Sequence, residues 1–442
     1  MTAAVTAVPS PVSGYEGQFD DYVEMASFLW FLHERAQSQP HYYARDLVEL
    51  ENRLDGQFRA MAQAPDEAWR ACSEALNSND PGSVFVAAVI AFRSRCASRI
   101  QNVVDIGVST STGVDALVSA LGWLPDRYVH DWLRRFLSSK DFLHKRLALA
   151  ACRTRAEDPC NFLTRILRRD DCRANSRLHA EALKCVGVFK RHDLSLFLLE
   201  AHESNNHRCR FESIRATILL GENVAAKRLA SLALNVGAGQ RPALMLAVRS
   251  LSRLDARRWI SHVAQQSHEG ARLAIQAAGA YGDPEIIPWL LSCMKHLSLA
   301  RVAGEAFAQI TGFDLEEHEL NHRLPSTSAS AADDDPDSAI PPLDHDEYLP
   351  WPHTEKLSAF WETIKHRFPS GQRHLRGAPL SIECCQQVLE TGPQRARLSA
   401  SLEWALQDRP QFWVPKRWQR RSSLQSHPGE PGAWPTSPNR TY

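Results

Sequence analysis

Charge of one sign is not in surplus here: Lys and Arg together number 51, as do Asp and Glu. Without a net positive field the chain is not built to grip polyphosphate over its whole surface, which counts against a dedicated nucleic-acid binder and leaves only local basic patches. Long apolar runs are missing too. No window approaches the roughly 18 uninterrupted apolar residues from which a membrane helix is read. The first residues, MTAAVTAVPSPVSGYEGQF, have neither a basic start nor a long apolar core, so no secretory leader is expected.

The ten cysteines, at 72, 96, 152, 160, 172, 185, 209, 293, 384 and 385, include no CxxC pair. That removes the common zinc and dithiol arrangements. Several lie in apolar stretches of helical spacing, as small core residues do, and a reducing cytoplasm is the expected compartment. GxSxG, GxGxxG and GxxxxGK[ST] are also absent, so no nucleophile elbow, dinucleotide fingerprint or phosphate loop is available. His202-Glu203-Ser-Asn-Asn-His207 resembles a zinc-protease helix, but its histidines are five apart rather than the required four. The extra residue rotates the second ring away by about 140°. Asn205-Asn206 instead reads as a turn, with the histidines in an exposed loop. Cys384-Cys385 reads as one buried cysteine and one incidental neighbour in a helix. The other histidines form no ligand pair with carboxylate support. No catalytic residue, metal or cofactor is expected, and the chain reads as a non-enzyme.

What is present is a repeat. Six segments begin with Arg and continue with small and apolar residues at helical spacing. They start at Arg146 (RLALAACRTRAEDP), Arg177 (RLHAEALKCVGVF), Arg210 (RFESIRATILLGE), Arg241 (RPALMLAVRSLSRLD), Arg272 (RLAIQAAGAYGDP) and Arg301 (RVAGEAFAQITGFD). Successive starts are 31, 33, 31, 31 and 29 residues apart. A second amphipathic pattern lies between them, as in YVHDWLRRFL (128–137), NFLTRIL (161–167) and EIIPWLLSCM (285–294). Each repeat therefore reads as an outer helix, a turn, and an Ala-rich inner helix whose small side chains let backbones approach. Gly-Asp-Pro at 282–284 is a junction signal: a helix-ending Gly, a capping Asp and a first-turn Pro. One helix pair cannot bury its own apolar face, so the pairs must stack. No alternating β-branched run competes. The expected fold is all-α: an α-solenoid of HEAT-like helix-pair repeats with a helical N-terminal cap and a small C-terminal helical region.

The composition divides the chain further. Residues 1–20 are expected to be disordered, 21–112 to form an N-terminal helical region without the Arg-led period, and 113–315 to carry about six repeats. Residues 324–353 form a Pro/Ser/Asp-rich linker with seven acidic residues and no Lys or Arg between Ser326 and Pro352. Helices resume over 354–415, and the polar tail 422–442 is expected to be disordered.

Four blocks carry a resemblance: SFLWFLHERA (27–36), ALVSALGWLP (116–125), ARVAGEAFAQITGFDL (300–315) and LDHDEYLPWP (343–352). In this order the chain resembles, from about residue 25 to 415, an uncharacterised proteobacterial family of HEAT-repeat proteins often encoded beside type VI secretion spike and effector genes. The blocks are family markers, not catalytic motifs. The resemblance implies a HEAT fold and an accessory role in secretion, and it supplies no catalytic residues. The acidic segment before Trp351 is shorter than the family's usual run.

The candidate interaction residues are the column Arg146, Arg177, Arg210, Arg241, Arg272 and Arg301, with Asp346, Glu347 and Trp351 in the linker. The arginines can bridge carboxylates and turn carbonyls of adjoining repeats, or they can form a basic row for an acidic ligand. In the second case the segment Asp333 to Glu347 is itself a candidate ligand, folding back until a partner displaces it. Trp351, flanked by prolines, can anchor in a groove or dock on the chain's own C-terminal helices beside Trp361, Trp404, Trp413 and Trp418. The cluster Lys416-Arg417-Trp418-Gln-Arg420-Arg421 reads as a solvated basic end that could touch nucleic acid. A non-catalytic protein-interaction scaffold or adaptor is expected, with secretion spike or effector proteins among its candidate partners, no membrane and no nucleic acid. The alternatives are a HEAT-like lyase or DNA glycosylase, and a nucleic-acid binder acting through the tail.

Overall fold

In the computed structural model, residues 17–78, 80–234, 237, 239–322 and 346–407 are described. Among them are 22 α-helices and one two-stranded hairpin, so the chain is all-α. No helix among the described residues is long and apolar enough to cross a membrane. Contacts divide the chain into two units. The described part of the first is residues 17–36 and 45–162; that of the second is 37–44 and 163–407.

The first unit holds α1 (Gln18–Ala36), α2 (Ala44–Met61), α3 (Pro65–Ala75), α4 (Pro81–Ser94), α5 (Ala97–Gly107), α6 (Ser111–Trp123), α7 (Asp126–Ser138) and α8 (Phe142–Arg155). Every residue from Gly82 to Phe92 is buried, because α4 is packed by α1, α3, α5 and α6 together. A helix that is apolar all round must be central. Trp30 stacks on Phe85 with ring centroids 5.5 Å apart, and its indole N–H is satisfied by Ser119 Oγ at 2.9 Å.

The second unit continues with α9 (Asn161–Arg168), α10 (Asp170–Ala174), α11 (Ser176–Val188), α12 (Ser195–Ala201), α13 (His207–Leu219), α14 (Ala226–Leu232), α15 (Gln240–Ser250), α16 (Arg253–Ala264), α17 (His268–Tyr281), α18 (Ile287–Cys293) and α19 (Leu297–Thr311). The division falls in the first turn of α9. Helices α11, α13, α15, α17 and α19 each pack on the next, with α12, α14, α16 and α18 alternating between them. This is the expected stack of inner and outer helices. Small residues set the inner spacing. A Cβ on Gly187 would lie 2.7 Å from the Cα of Ala216, and one on Gly279 would lie 2.9 Å from the Cα of Ala306. Polar caps start the inner helices: Asp141, Asn175, Asn206 and Ser267 accept backbone N–H bonds at the heads of α8, α11, α13 and α17.

A C-terminal segment follows: α20 (Thr354–Ile364), β1 (His374–Leu375), β2 (Ala378–Pro379), α21 (Ile382–Thr391) and α22 (Gln394–Leu406). It runs back past the C-terminal ends of the inner helices as a strap. Gly377 N–H donates to Ile310 O at 3.0 Å and Arg376 N–H to Gln309 O at 2.7 Å, at the end of α19. His374 N–H donates to Gly282 O at 2.7 Å, just past α17. Gly282 has φ +81°, and a Cβ there would lie 2.1 Å from His374 O. Farther along the strap, Arg249 at the end of α15 donates to Ser399 Oγ at 2.6 Å. Lys190, just past α11, donates to the carbonyl of Ala405 at 2.6 Å and also to that of Leu219 in α13.

Several boundaries differ from the sequence reading. Within the N-terminal region 21–112, helix α4 packs on α6 as α6 packs on α8, so the α4/α5 pair alternates in the manner of the pairs that follow it. Helix α1 begins at Gln18, inside the stretch 1–20 expected to be disordered. The linker expected over 324–353 stops short: Asn321 pairs with Pro352, and His353 N–H donates to Leu320 O at 2.8 Å, so residues 346–353 belong to the fold. The hairpin inside the C-terminal helical region has no counterpart in the sequence reading. Residues 1–16, 323–345 and 408–442 lie outside the described residues, and with them the acidic stretch Asp333–Asp337, the basic tail and the polar end 422–442.

Candidate functional site

The six column arginines each lie in one helix of the inner set, α8, α11, α13, α15, α17 and α19. They are not at one helical position. Arg146, Arg272 and Arg301 are fifth in their helices, Arg210 is fourth, and Arg177 and Arg241 are second. At about 100° per residue, a three-residue offset moves a side chain nearly one turn along the helix while leaving it on the same broad face, about 60° round. The column is therefore staggered along the helices, and Arg272 and Arg301, both fifth in their helices, form a matched pair on neighbouring helices of the second unit.

That pair meets Asp346. Arg272 Nη2 donates to the Asp346 carboxylate, and Arg301 Nη1 donates to the Asp346 carbonyl at 2.8 Å. The Asp346 side chain is only 5% exposed. Arg301 also lies over the Trp351 ring, 4.7 Å from its centroid, a cation–π contact. Leu349 is buried beside them and closes a turn by donating its N–H to Asp346 O at 2.8 Å. Glu347 is exposed. The ring contact of Trp351 is with α19, whereas Trp361 packs against Phe307 and Phe368.

One turn farther along the same helices, Gln276 accepts from Arg241 Nε at 3.0 Å, and both carboxylate oxygens of Glu305 accept from Arg395 Nη1, at 2.8 and 2.9 Å. The stretch 37–44 lies alongside: Arg395 Nε donates to Ser38 O at 2.9 Å, and His41 and Tyr348 rings are 4.2 Å apart. Arg241–Gln276 is thus one rung of a cross-repeat ladder, and Arg272–Asp346–Arg301 is a clasp on a returning segment. Arg210 contacts His207 at 2.7 Å, Arg177 is exposed, and Arg146 is half-buried on α8 in the first unit.

Three other features bear on chemistry. Asp126, His130 and Glu157 come close enough in the first unit to suggest a cation site. A cation is already there: the Arg155 side chain, 0% exposed, pairs with both carboxylates and donates to Leu121 O and Leu124 O at 2.6 and 2.9 Å. His202 is not in an exposed loop as read from sequence. It is buried, bonded to Thr217 Oγ1 at 2.9 Å, and burial pushes its pKa down. Both Cys384 and Cys385 are buried, and desolvation pushes the Cys385 thiol up to about 12, far from the reactive thiolate range.

The second unit also has a cleft of about 580 Å³ lined by Phe313, His318, Arg367, Leu375, Arg376 and Val388 among others, with no carboxylate among the described residues of its wall. The strap's hairpin forms one side of it.

The Lys190, Arg249, Arg373 and Glu403 contacts had no sequence signal, since each joins positions far apart in the chain. The caps did have one: Asp80 and Thr110 also cap helices, heading α4 and α6, and they extend the spacing of about 31 read from the arginines back to the first pairs. No family model, curated protein or solved structure matches this chain, so the geometry carries the functional argument.

Proposed function

We propose that the chain is a non-catalytic protein-binding scaffold whose arginine-bearing inner helices receive an acidic segment of a partner. The observation that carries this reading is the seat of Asp346 between Arg272 and Arg301, with Trp351 under the second guanidinium. Paired guanidiniums favour carboxylates in a fixed geometry, and Arg with Trp is a combination enriched at the centres of protein interfaces. Fold alone assigns no function, so the weight rests on these side chains. The resemblance read from the sequence makes type VI spike and effector proteins the first partners to try, in the cytoplasm.

Affinity purification from the source cells with mass spectrometry tests the proposal, comparing the intact chain with one lacking residues 326–347. Specific co-purification that changes in strength and salt dependence on the deletion is the expected result. Unchanged affinity and unchanged salt dependence would remove the acidic segment from the account, and loss of all partners from the intact chain would remove the scaffold.

A further inference from the structure

The residues that meet Arg272 and Arg301 come from the chain itself, more than forty positions away from either. They use the two contacts by which a foreign peptide would be recognised: a carboxylate on a guanidinium and an indole beneath one. We propose that residues 346–351 are an intramolecular stand-in for the ligand, and that the ligand is a protein segment carrying a carboxylate and, five residues on, a tryptophan. The proposal rests on the scaffold reading and names its partner by chemistry.

The way the segment is held supports this. Its C-terminal side is fixed by backbone pairing, through His322 N–H to Trp351 O and His353 N–H to Leu320 O, both 2.8 Å. On α17 and α19, by contrast, residues 346–351 are gripped by two arginine side chains. Exchanging these contacts for those of an incoming peptide leaves every backbone bond of the inner helices in place. The pairing at Pro352 keeps the displaced segment tethered close by. A tethered competitor acts at an effective concentration in the millimolar range, and it reduces apparent affinity in proportion to the fraction of time the site is open. The intact chain therefore binds its ligand weakly until the ligand's own contacts outcompete the tether.

The test uses the full chain and a fluorescein-labelled peptide of residues 346–353, Asp-Glu-Tyr-Leu-Pro-Trp-Pro-His, followed by anisotropy. The double substitution Asp346→Asn with Trp351→Ala is expected to bind the peptide about tenfold or more tighter than the unaltered chain. Adding Arg272→Ala to that background should return binding to the level of a scrambled peptide. Asp346→Asn alone, nearly isosteric, guards against misfolding and should shift affinity in the same direction by a smaller factor. If both variants keep a cooperative melt and neither exceeds the unaltered chain, or if binding survives Arg272→Ala, the inference is overturned. Capture of a partner protein without any peptide binding would overturn this inference and leave the scaffold standing; peptide binding with no protein partner would remove the scaffold, and with it the foreign ligand, leaving only an internal contact.

Discussion

Arg249 at the end of α15 and Glu403 on α22 face each other at 3.0 Å, with side chains 2% and 5% exposed. Burial lowers the Arg249 guanidinium to about 10, with the Glu403 charge opposing the shift. Arg373 reaches the same carboxylate from just before the hairpin. Removing one member of a buried pair strands the other. Glu403→Ala should therefore destabilise the protein by about 3–5 kcal/mol, whereas replacing Arg249 and Glu403 together with apolar residues should recover much of the loss. Urea denaturation of the single and double variants measures this; a single-variant loss below about 1 kcal/mol would show that the pair does not hold the strap.

Gly282 carries the hairpin's attachment to α17. An alanine there must take φ +81° and place its Cβ 2.1 Å from the His374 carbonyl. The left-handed backbone alone costs about 1–3 kcal/mol, and the clash displaces the hairpin. Hydrogen exchange should show residues 374–379 losing protection in Gly282→Ala while the middle of α17 keeps it. Equal loss in both would mean that the hairpin is not a separate attachment.

His179, His202 and His374 all have pKa values lowered, chiefly by burial. The unfolded chain binds protons at about pH 6.5 on each ring, and the native chain only at lower pH. Stability from these groups is therefore complete above about pH 6.5 and is lost as the pH falls through that value. The melting temperature should drop between about pH 7 and pH 5, and His202→Gln should make that drop shallower. A profile with the same slope in the variant would exclude His202 as a contributor.

Arg155 does what a metal ion would otherwise do in the first unit. Its guanidinium fork serves two carbonyls and two carboxylates at once, a geometry that an ammonium group does not copy. Arg155→Ala should cost about 3–5 kcal/mol, and Arg155→Lys should recover only a minor part. Zinc added to the unaltered protein should leave its melting temperature unmoved. A rise with zinc would show that Asp126, His130 and Glu157 prefer the metal.

The inner helices were legible because stacking forces a physical period on the sequence. A helix that must lie against its neighbour's backbone needs Ala or Gly, as at Gly187 against Ala216, and it needs a cap at each restart. The arginines marked the right helices but not a common height, because they are the second, fourth or fifth residue of their helices. Following the caps from Asp80 and Thr110 would have brought α4 and α6 into the repeat. The acidic segment's return to the inner helices could be posed from charge alone. That Asp346 and Trp351 are the residues seated there depends on the Asn321–Pro352 pairing, which leaves no trace in a single sequence. The strap was illegible for a similar reason: Lys190 and Ala405 are 215 positions apart, and no local pattern records such a partner.

Arrays of stacked helix pairs ordinarily tolerate gain or loss of a unit, since each repeat answers only to its neighbours. The strap removes that freedom. A segment of fixed length that begins at the end of α19 and finishes at Lys190 works as a ruler, and it fits five inner helices and no other number. Duplicating the α15/α16 pair without lengthening the strap would carry Lys190 away from Ala405, and deleting the pair would leave slack, so the number of pairs and the strap's length have to change together.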